Sequence, residues 1–257
     1  MQAITTGFLA SLIAGLGTAV GALPILFLPT INQRTQGLLL GFGGGVMLAA
    51  TAFSLVMPGT EAAIALGYAK PVAALIMAIG ILLGGWSLSW IHAHFPHEHF
   101  FKGAEGANRS RLTRIWLFVI AITLHNFPEG LAVGVGMGSG DTAAGLPIAV
   151  GIGLQNMPEG LVVAVALVGQ NYSAAYALGV SVLTGLVEPL GGLVGATVVS
   201  VGNAVLPWGM AIAAGAMLFV ISDEIIPESH RKGYEHEGTI GIMLGFVLML
   251  VLDVALG

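Results

Sequence analysis

Residues 125–131 read His-Asn-Phe-Pro-Glu-Gly-Leu, and residues 155–161 read Gln-Asn-Met-Pro-Glu-Gly-Leu. Both stretches interrupt otherwise apolar sequence with a carboxylate, an amide and a proline. A charged residue at the centre of a membrane helix costs about 2.5–3.5 kcal/mol on insertion scales. Two such costs at matched positions point to a cationic partner. His125 and Glu129 are four apart and share one helix face, as do Gln155 and Glu159. Asn126 and Asn156 lie one position on, about 100° around each helix, and line a second edge. Pro128 and Pro158 have no N–H to give and push against the carbonyls of Leu124 and Leu154. At membrane depth such freed carbonyls are tolerated only beside protein or a polar cavity.

The surrounding chain is that of a polytopic membrane protein. It has 257 residues, 56% hydrophobic and only 8% charged, with 39 glycines. Soluble domains carry about 25% charged residues, three times as many. Glycine at this level suits helices that pack closely in lipid. Cysteine is absent, which excludes disulfides and thiolate metal sites. Eight Lys and Arg in total make no basic face, so nucleic acid is not a partner. The opening residues, Met1 to Thr6, lack the basic region of a secretory signal, and the first apolar run is expected to stay as a membrane helix.

A spanning helix needs about 20 apolar residues. Eight segments qualify, giving an all-α fold in a single transmembrane domain over 1–257: 4–28, 36–57, 71–92, 114–138, 142–169, 173–200, 206–227 and 238–256. Arg34, Lys102, Arg109, Arg111, Arg114, Arg231 and Lys232 fall on one side of this topology and only Lys70 on the other. Basic loops stay cytoplasmic, so both termini are expected outside the plasma (inner) membrane. The short connection at 139–141 makes the two motif-bearing segments antiparallel neighbours, and their polar sets meet near the bilayer midplane.

The sixth segment adds Glu188, followed by Pro189. Three carboxylates, one histidine and three amides form a cage suited to divalent cations, with Zn²⁺, Fe²⁺ or Mn²⁺ fitting imidazole plus carboxylate. Three carboxylates can hold two ions if some of them bridge. A second polar set comprises His92, His94, His97, Glu98 and His99 after the third segment and Asp223, Glu224, Glu228 and His230 at the end of the seventh. It reads as an exit or sensing site, or as a solvated boundary of two helices. On the outer side Met47, Met57, Glu61 and Asp141 are candidates for an entrance, and Asp253 reads as interfacial.

The paired motif resembles that of the ZIP (Zrt/Irt-like) divalent metal transporters, in their prokaryotic GufA-like branch. The likeness extends over essentially the whole chain, including Glu188-Pro189 and Asp-Glu-Ile-Ile-Pro-Glu-Ser at 223–229. It implies eight helices in a three-two-three bundle and a binuclear transport site. The implied ligands are His125, Asn126, Glu129, Gln155, Asn156, Glu159 and Glu188, with Glu129 and Glu159 bridging. It also implies inward transport of Zn²⁺, with Cd²⁺, Fe²⁺ or Mn²⁺ as further substrates and no cofactor. Homodimers are implied too, as is an elevator motion of segments 1, 4, 5 and 6 against 2, 3, 7 and 8. Two positions depart from the family pattern: Gln155 stands where many members have His, and Asn156 where a carboxylate could complete a second metal position. The rival readings are an intramembrane metallohydrolase, a metal sensor without flux, and a cation-coupled transporter of another solute. The first lacks a His-Glu-x-x-His helix.

Overall fold

Long apolar runs have no water with which to bond their backbone, and the helix satisfies those groups internally. The computed structural model describes residues 2–27, 32–94, 97–99, 103–105, 114–138, 142–169, 171–230 and 233–256. Its elements are α1 (Gln2–Ala22), extended by a 3₁₀ turn to Leu26; α2 (Gln33–Ala49), which runs through a π segment (Ala50–Val56) into α3 (Met57–Ala65); and α4 (Lys70–His94). Then follow α5 (Arg114–Gly138), α6 (Thr142–Gly169), α7 (Ala174–Gly185) and α8 (Glu188–Ser200). Last come α9 (Leu206–Val220), a second π segment (Ile221–Ile225), α10 (Ile226–Ser229) and α11 (Glu235–Leu256). Seven stretches among the described residues are long and apolar enough to cross a membrane: Gln2–Leu26, Gln33–Ala65, Lys70–Ile91, Gly145–Gly169, Ala174–Ser200, Leu206–Ser229 and Glu235–Ala255. The motif-bearing α5 is itself a 25-residue helix.

Three local features depart from the sequence reading, and proline accounts for two. The second segment was expected to stop near Met57, before Pro58. Instead the helix continues to Ala65, because the π segment before Pro58 uses longer-range bonds and Pro58 falls in the first turn of α3. The second π segment relates to Pro227 in the same way. The sixth segment breaks at Leu186–Val187, immediately before Glu188 and Pro189, so Glu188 starts a new helix. The third departure is a short antiparallel hairpin within the 92–114 connection, β1 (His97–His99) with β2 (Gly103–Glu105). By contrast Pro128 and Pro158 lie inside helices that run on through them.

Glycine sets how the helices meet. A Cβ on Gly130 would run into the backbone carbonyl of Glu188, and one on Gly160 into the carbonyl of Thr18. Each motif glycine thus seats its helix backbone-to-backbone on a neighbour: α5 on α8, and α6 on α1. The pairs α2–α11 and α4–α9 use the same device at Gly45 and Gly84. Between these sets glycines meet side chains instead: Gly151 of α6 faces the Met249 sulfur, and Gly209 of α9 faces Val199 and Val135.

A Gly130→Ala substitution is expected to lower thermal stability in detergent by several degrees, since overpacking against backbone costs about 1–3 kcal/mol. Gly179→Ala, on an exposed part of α7 with nothing within 4 Å of the added carbon, is expected to leave the melting temperature unchanged or slightly raised. Equal losses in the two variants would contradict the packing argument.

Candidate metal-transport site

The repeated motif places its polar side chains on buried faces. His125, Asn126 and Glu129 of α5, Gln155, Asn156 and Glu159 of α6, and Glu188 at the start of α8 are all between 0 and 7% exposed. In each motif helix the residue before proline points the other way: Phe127 and Met157 are exposed at 36%. The pattern follows helical geometry: positions four apart share a face, the asparagines adjoin it about 100° on, and 127 and 157 fall about another 100° round.

Two amides tie the cluster together. Gln155 Nε2 donates to Glu129 Oε1 at 2.7 Å, Asn156 Oδ1 at 3.0 Å and Glu159 Oε2 at 3.1 Å. Asn156 Nδ2 donates to Glu188 Oε1 at 2.7 Å and to the Ala14 carbonyl at 2.9 Å. All three carboxylates therefore accept from amide N–H groups, and those of Glu129 and Glu188 are linked through Gln155 and Asn156. Among the described residues no three His, Cys, Asp or Glu side chains stand close enough to form a ligand group by themselves; amides separate the carboxylates. Four buried oxygens nonetheless have no donor among the described residues: Glu129 Oε2, Gln155 Oε1, Glu188 Oε2 and Asn126 Oδ1. Leaving a buried acceptor unsatisfied costs about 1–3 kcal/mol, more for a charged group. A set of such acceptors in one buried polar cluster is what a desolvated cation requires.

The chain matches the family described as ZIP Zinc transporter over residues 92–253. It is 51% identical to zinc transporter GufA of Myxococcus xanthus over 251 residues, 98% of this chain and 99% of that protein. It is 48% identical to zinc transporter ZIPB of Bordetella bronchiseptica over 93% of this chain and 78% of that protein. Zinc transporter ZupT of Stenotrophomonas maltophilia is 34% identical over 91% of this chain and 90% of that protein. This chain belongs to the ZIP family. Its similarity to GufA puts it in the prokaryotic GufA-like branch.

Within this ZIP chain the other candidate residues form no group of three His, Cys, Asp or Glu among the described residues. His94 is exposed, with its ring 4.3 Å from that of Trp90 and Nδ1 2.7 Å from the Trp90 carbonyl. His230 is held by its own neighbourhood: Nδ1 by the Ile226 carbonyl and Ser229 Oγ, and Nε2 by Thr239 Oγ1. Asp223 lines a groove between α4 and α9 with Trp86, Ser89 and Ser222. Glu228 is half-buried in α10. His97, Glu98 and His99 are placed by backbone only, in β1, and His92 and Glu224 by backbone only, in α4 and the second π segment. Met47 is packed in the core, while Glu61 is exposed on α3 and Met57 is half-exposed. Asp141 lies outside the described residues.

One contributor to the cluster has no side-chain signal in the sequence. The Ala14 carbonyl makes α1 a wall of the polar cluster; glycines at 15, 17 and 21 were the available signal, since each packs α1 against a site-bearing segment. Asp253, read as interfacial, accepts a 2.6 Å hydrogen bond from Ser54 in the first π segment.

Asn156→Asp is expected to remove the donor to Glu188 and place a second carboxylate beside it. Metal-stripped protein should melt several degrees lower, and added Zn²⁺ should raise its melting temperature more than in the wild type. Thermal shift with and without chelator measures both; equal Zn²⁺ shifts would count against a cation at this position.

Proposed function

We propose that this chain is a zinc transporter that takes divalent transition-metal ions into the cytoplasm through the Glu129–Glu159–Glu188 cluster. The observation that carries the reading is the group of buried acceptor oxygens without donors among the described residues, on Asn126, Glu129 and Gln155 of the repeated motif and on Glu188. The relatives described above are all named zinc transporters, which favours transport over catalysis and leaves the metallohydrolase and sensor readings without support. Zn²⁺ takes nitrogen and oxygen ligands in compact geometry; Cd²⁺, Fe²⁺ and Mn²⁺ are further candidate cargo. Metal here is substrate, and the transport reaction calls for no cofactor.

The ligand set is His125, Asn126, Glu129, Gln155, Asn156, Glu159 and Glu188, with Glu129 and Glu159 as the bridging pair of a binuclear midplane site. With an amide at 156 in place of a carboxylate, the second metal position binds more weakly than the first. The single domain spans 1–257, and α5 is the eighth crossing. The eight crossings form a three-two-three bundle in the inner (plasma) membrane, with both termini outside and the chain working as a homodimer. Seven of eight Lys and Arg on one side of that topology support the orientation.

An elevator motion suits the packing. Glycine seats α1 on α6 and α5 on α8 by backbone contact, while α6 meets α11 and α9 meets α5 and α8 through Met and Val side chains. Backbone-to-backbone contacts hold a group of helices together, and flexible side chains such as Met allow one group to slide past another. The residues at 92–99 and 223–230 stand as the exit or sensing region, and Met47 and Glu61 as the entrance.

Proteoliposomes with purified protein and a metal-sensitive dye inside test this reading. Saturable Zn²⁺ flux is expected for the wild type, with at least a 100-fold loss (about 2.7 kcal/mol) in Glu129→Ala and His125→Ala variants that still insert. Wild-type-like flux in either variant would sink the site. Uptake should also fall as the pH drops toward about 5, because carboxylate and imidazole ligands must lose their protons to bind. A flat pH profile at constant gradient would contradict direct ligation.

A further inference from the structure

Within the helices, Ser11, Thr51, Thr60, Thr123 and Ser181 each donate a hydroxyl to the carbonyl four residues back. This is how a helical Ser or Thr ordinarily satisfies its O–H. Thr18 does not follow it. It is completely buried in α1, yet its Oγ1 has no hydrogen-bond partner among the described residues. The carbonyl four residues back belongs to Ala14, and that oxygen accepts from Asn156 Nδ2 at 2.9 Å. Oγ1 faces the bare Cα of Gly185 instead. A buried hydroxyl without a partner is costly, and this one lies in the wall of the polar cluster: the Thr18 backbone seats Gly160, next to Glu159.

The chemistry of a bound cation supplies a reason. Only Oδ1 of Asn156 can ligate a metal; Nδ2 presents hydrogens that a cation repels. In the structure Oδ1 accepts from Gln155 while Nδ2 holds Glu188 and Ala14. A cation shared by Glu188 and Asn156 therefore requires the amide to turn, which strips Ala14 of its side-chain donor. A rotation about the Thr18 Cα–Cβ bond brings Oγ1 to the same oxygen, as in the five residues above. We infer that Thr18 is a positioning residue for cargo binding, its hydroxyl replacing the Asn156 amide at the Ala14 carbonyl when the cluster takes a metal. This rests on the metal-transport reading of the cluster. It makes α1 part of the binding reaction although α1 offers no ligand side chain.

The test is Cd²⁺ titration by calorimetry and thermal shift on chelator-stripped, full-length protein in nanodiscs, comparing wild type, Thr18→Val and Thr18→Ser. Valine keeps the shape and removes the hydroxyl. Thr18→Val is expected to melt at the same or a higher temperature without metal, because a buried unpartnered hydroxyl is gone. It is also expected to bind Cd²⁺ about 3- to 10-fold more weakly, the effect of one lost hydrogen bond. Thr18→Ser should restore wild-type affinity. If Thr18→Val does not insert, Thr18→Ala carries the same expectation for affinity. Unchanged Cd²⁺ affinity in Thr18→Val overturns the inference alone. So does a parallel loss of stability and affinity that serine does not rescue, which marks Thr18 as packing only. No Cd²⁺ binding by the wild type overturns the metal reading and this inference together.

Discussion

The side-chain amide of Asn156 joins the elements that enclose the polar cluster. From α6 its Nδ2 reaches the Ala14 carbonyl of α1 and the Glu188 carboxylate of α8, and its Oδ1 accepts from Gln155, which in turn holds Glu129 of α5. A primary amide is the only uncharged side-chain group that offers two donors and an acceptor from one rigid plane. In a low-dielectric interior this matters, because each unsatisfied carboxylate oxygen is expensive. The amides let three carboxylates stand in one buried cluster that, among the described residues, includes no Lys or Arg. A Lys or Arg there would satisfy the carboxylates permanently and compete with any incoming metal.

Such short side chains can meet only if the helices that carry them nearly touch. The glycine immediately after each motif glutamate supplies that approach: Gly130 lets α5 close on the backbone of Glu188, and Gly160 lets α6 close on the backbone of Thr18. Pro189 and the break before it serve the same geometry. By ending α7 at Gly185 and starting α8 at Glu188, they deliver the third carboxylate from a helix start, where the backbone N–H groups and dipole favour negative charge. Packing and chemistry are thus encoded by the same few positions, which is why Pro-Glu-Gly recurs as a unit.

Much of this was legible in the chain itself. The bounds read for the two motif segments, 114–138 and 142–169, coincide with α5 and α6, because long apolar runs bounded by polar or glycine-rich connections leave little freedom. The seven side chains singled out are all buried, since helical spacing puts each His/Gln–Glu pair on one face and its asparagine on the adjoining edge. What stayed hidden depends on the backbone. The Ala14 carbonyl has no side-chain signature, so α1 looked like a plain apolar helix. At Pro58 and Pro227 a proline alone suggests a helix end, whereas a π segment carries each helix on into the next. Ser54 and Asp253, 199 positions apart, carry no pattern linking them.

A transporter must bind its cargo and also let it go, and the amide-rich cluster bears on both. If every ligand were anionic, a divalent ion would be held in a deep electrostatic well, and the emptied cluster would suffer unrelieved repulsion among its carboxylates. Gln155 and Asn156 shorten both extremes. In the proposed site their carbonyl oxygens would add to the coordination when a cation is present, and their N–H groups would turn to the carboxylates when it leaves. The free-energy gap between filled and emptied cluster is thereby smaller than carboxylates and imidazoles alone would give. A smaller gap favours turnover over retention. Positions 155 and 156 carry those amides, so in the proposed site they would act on release as directly as on affinity.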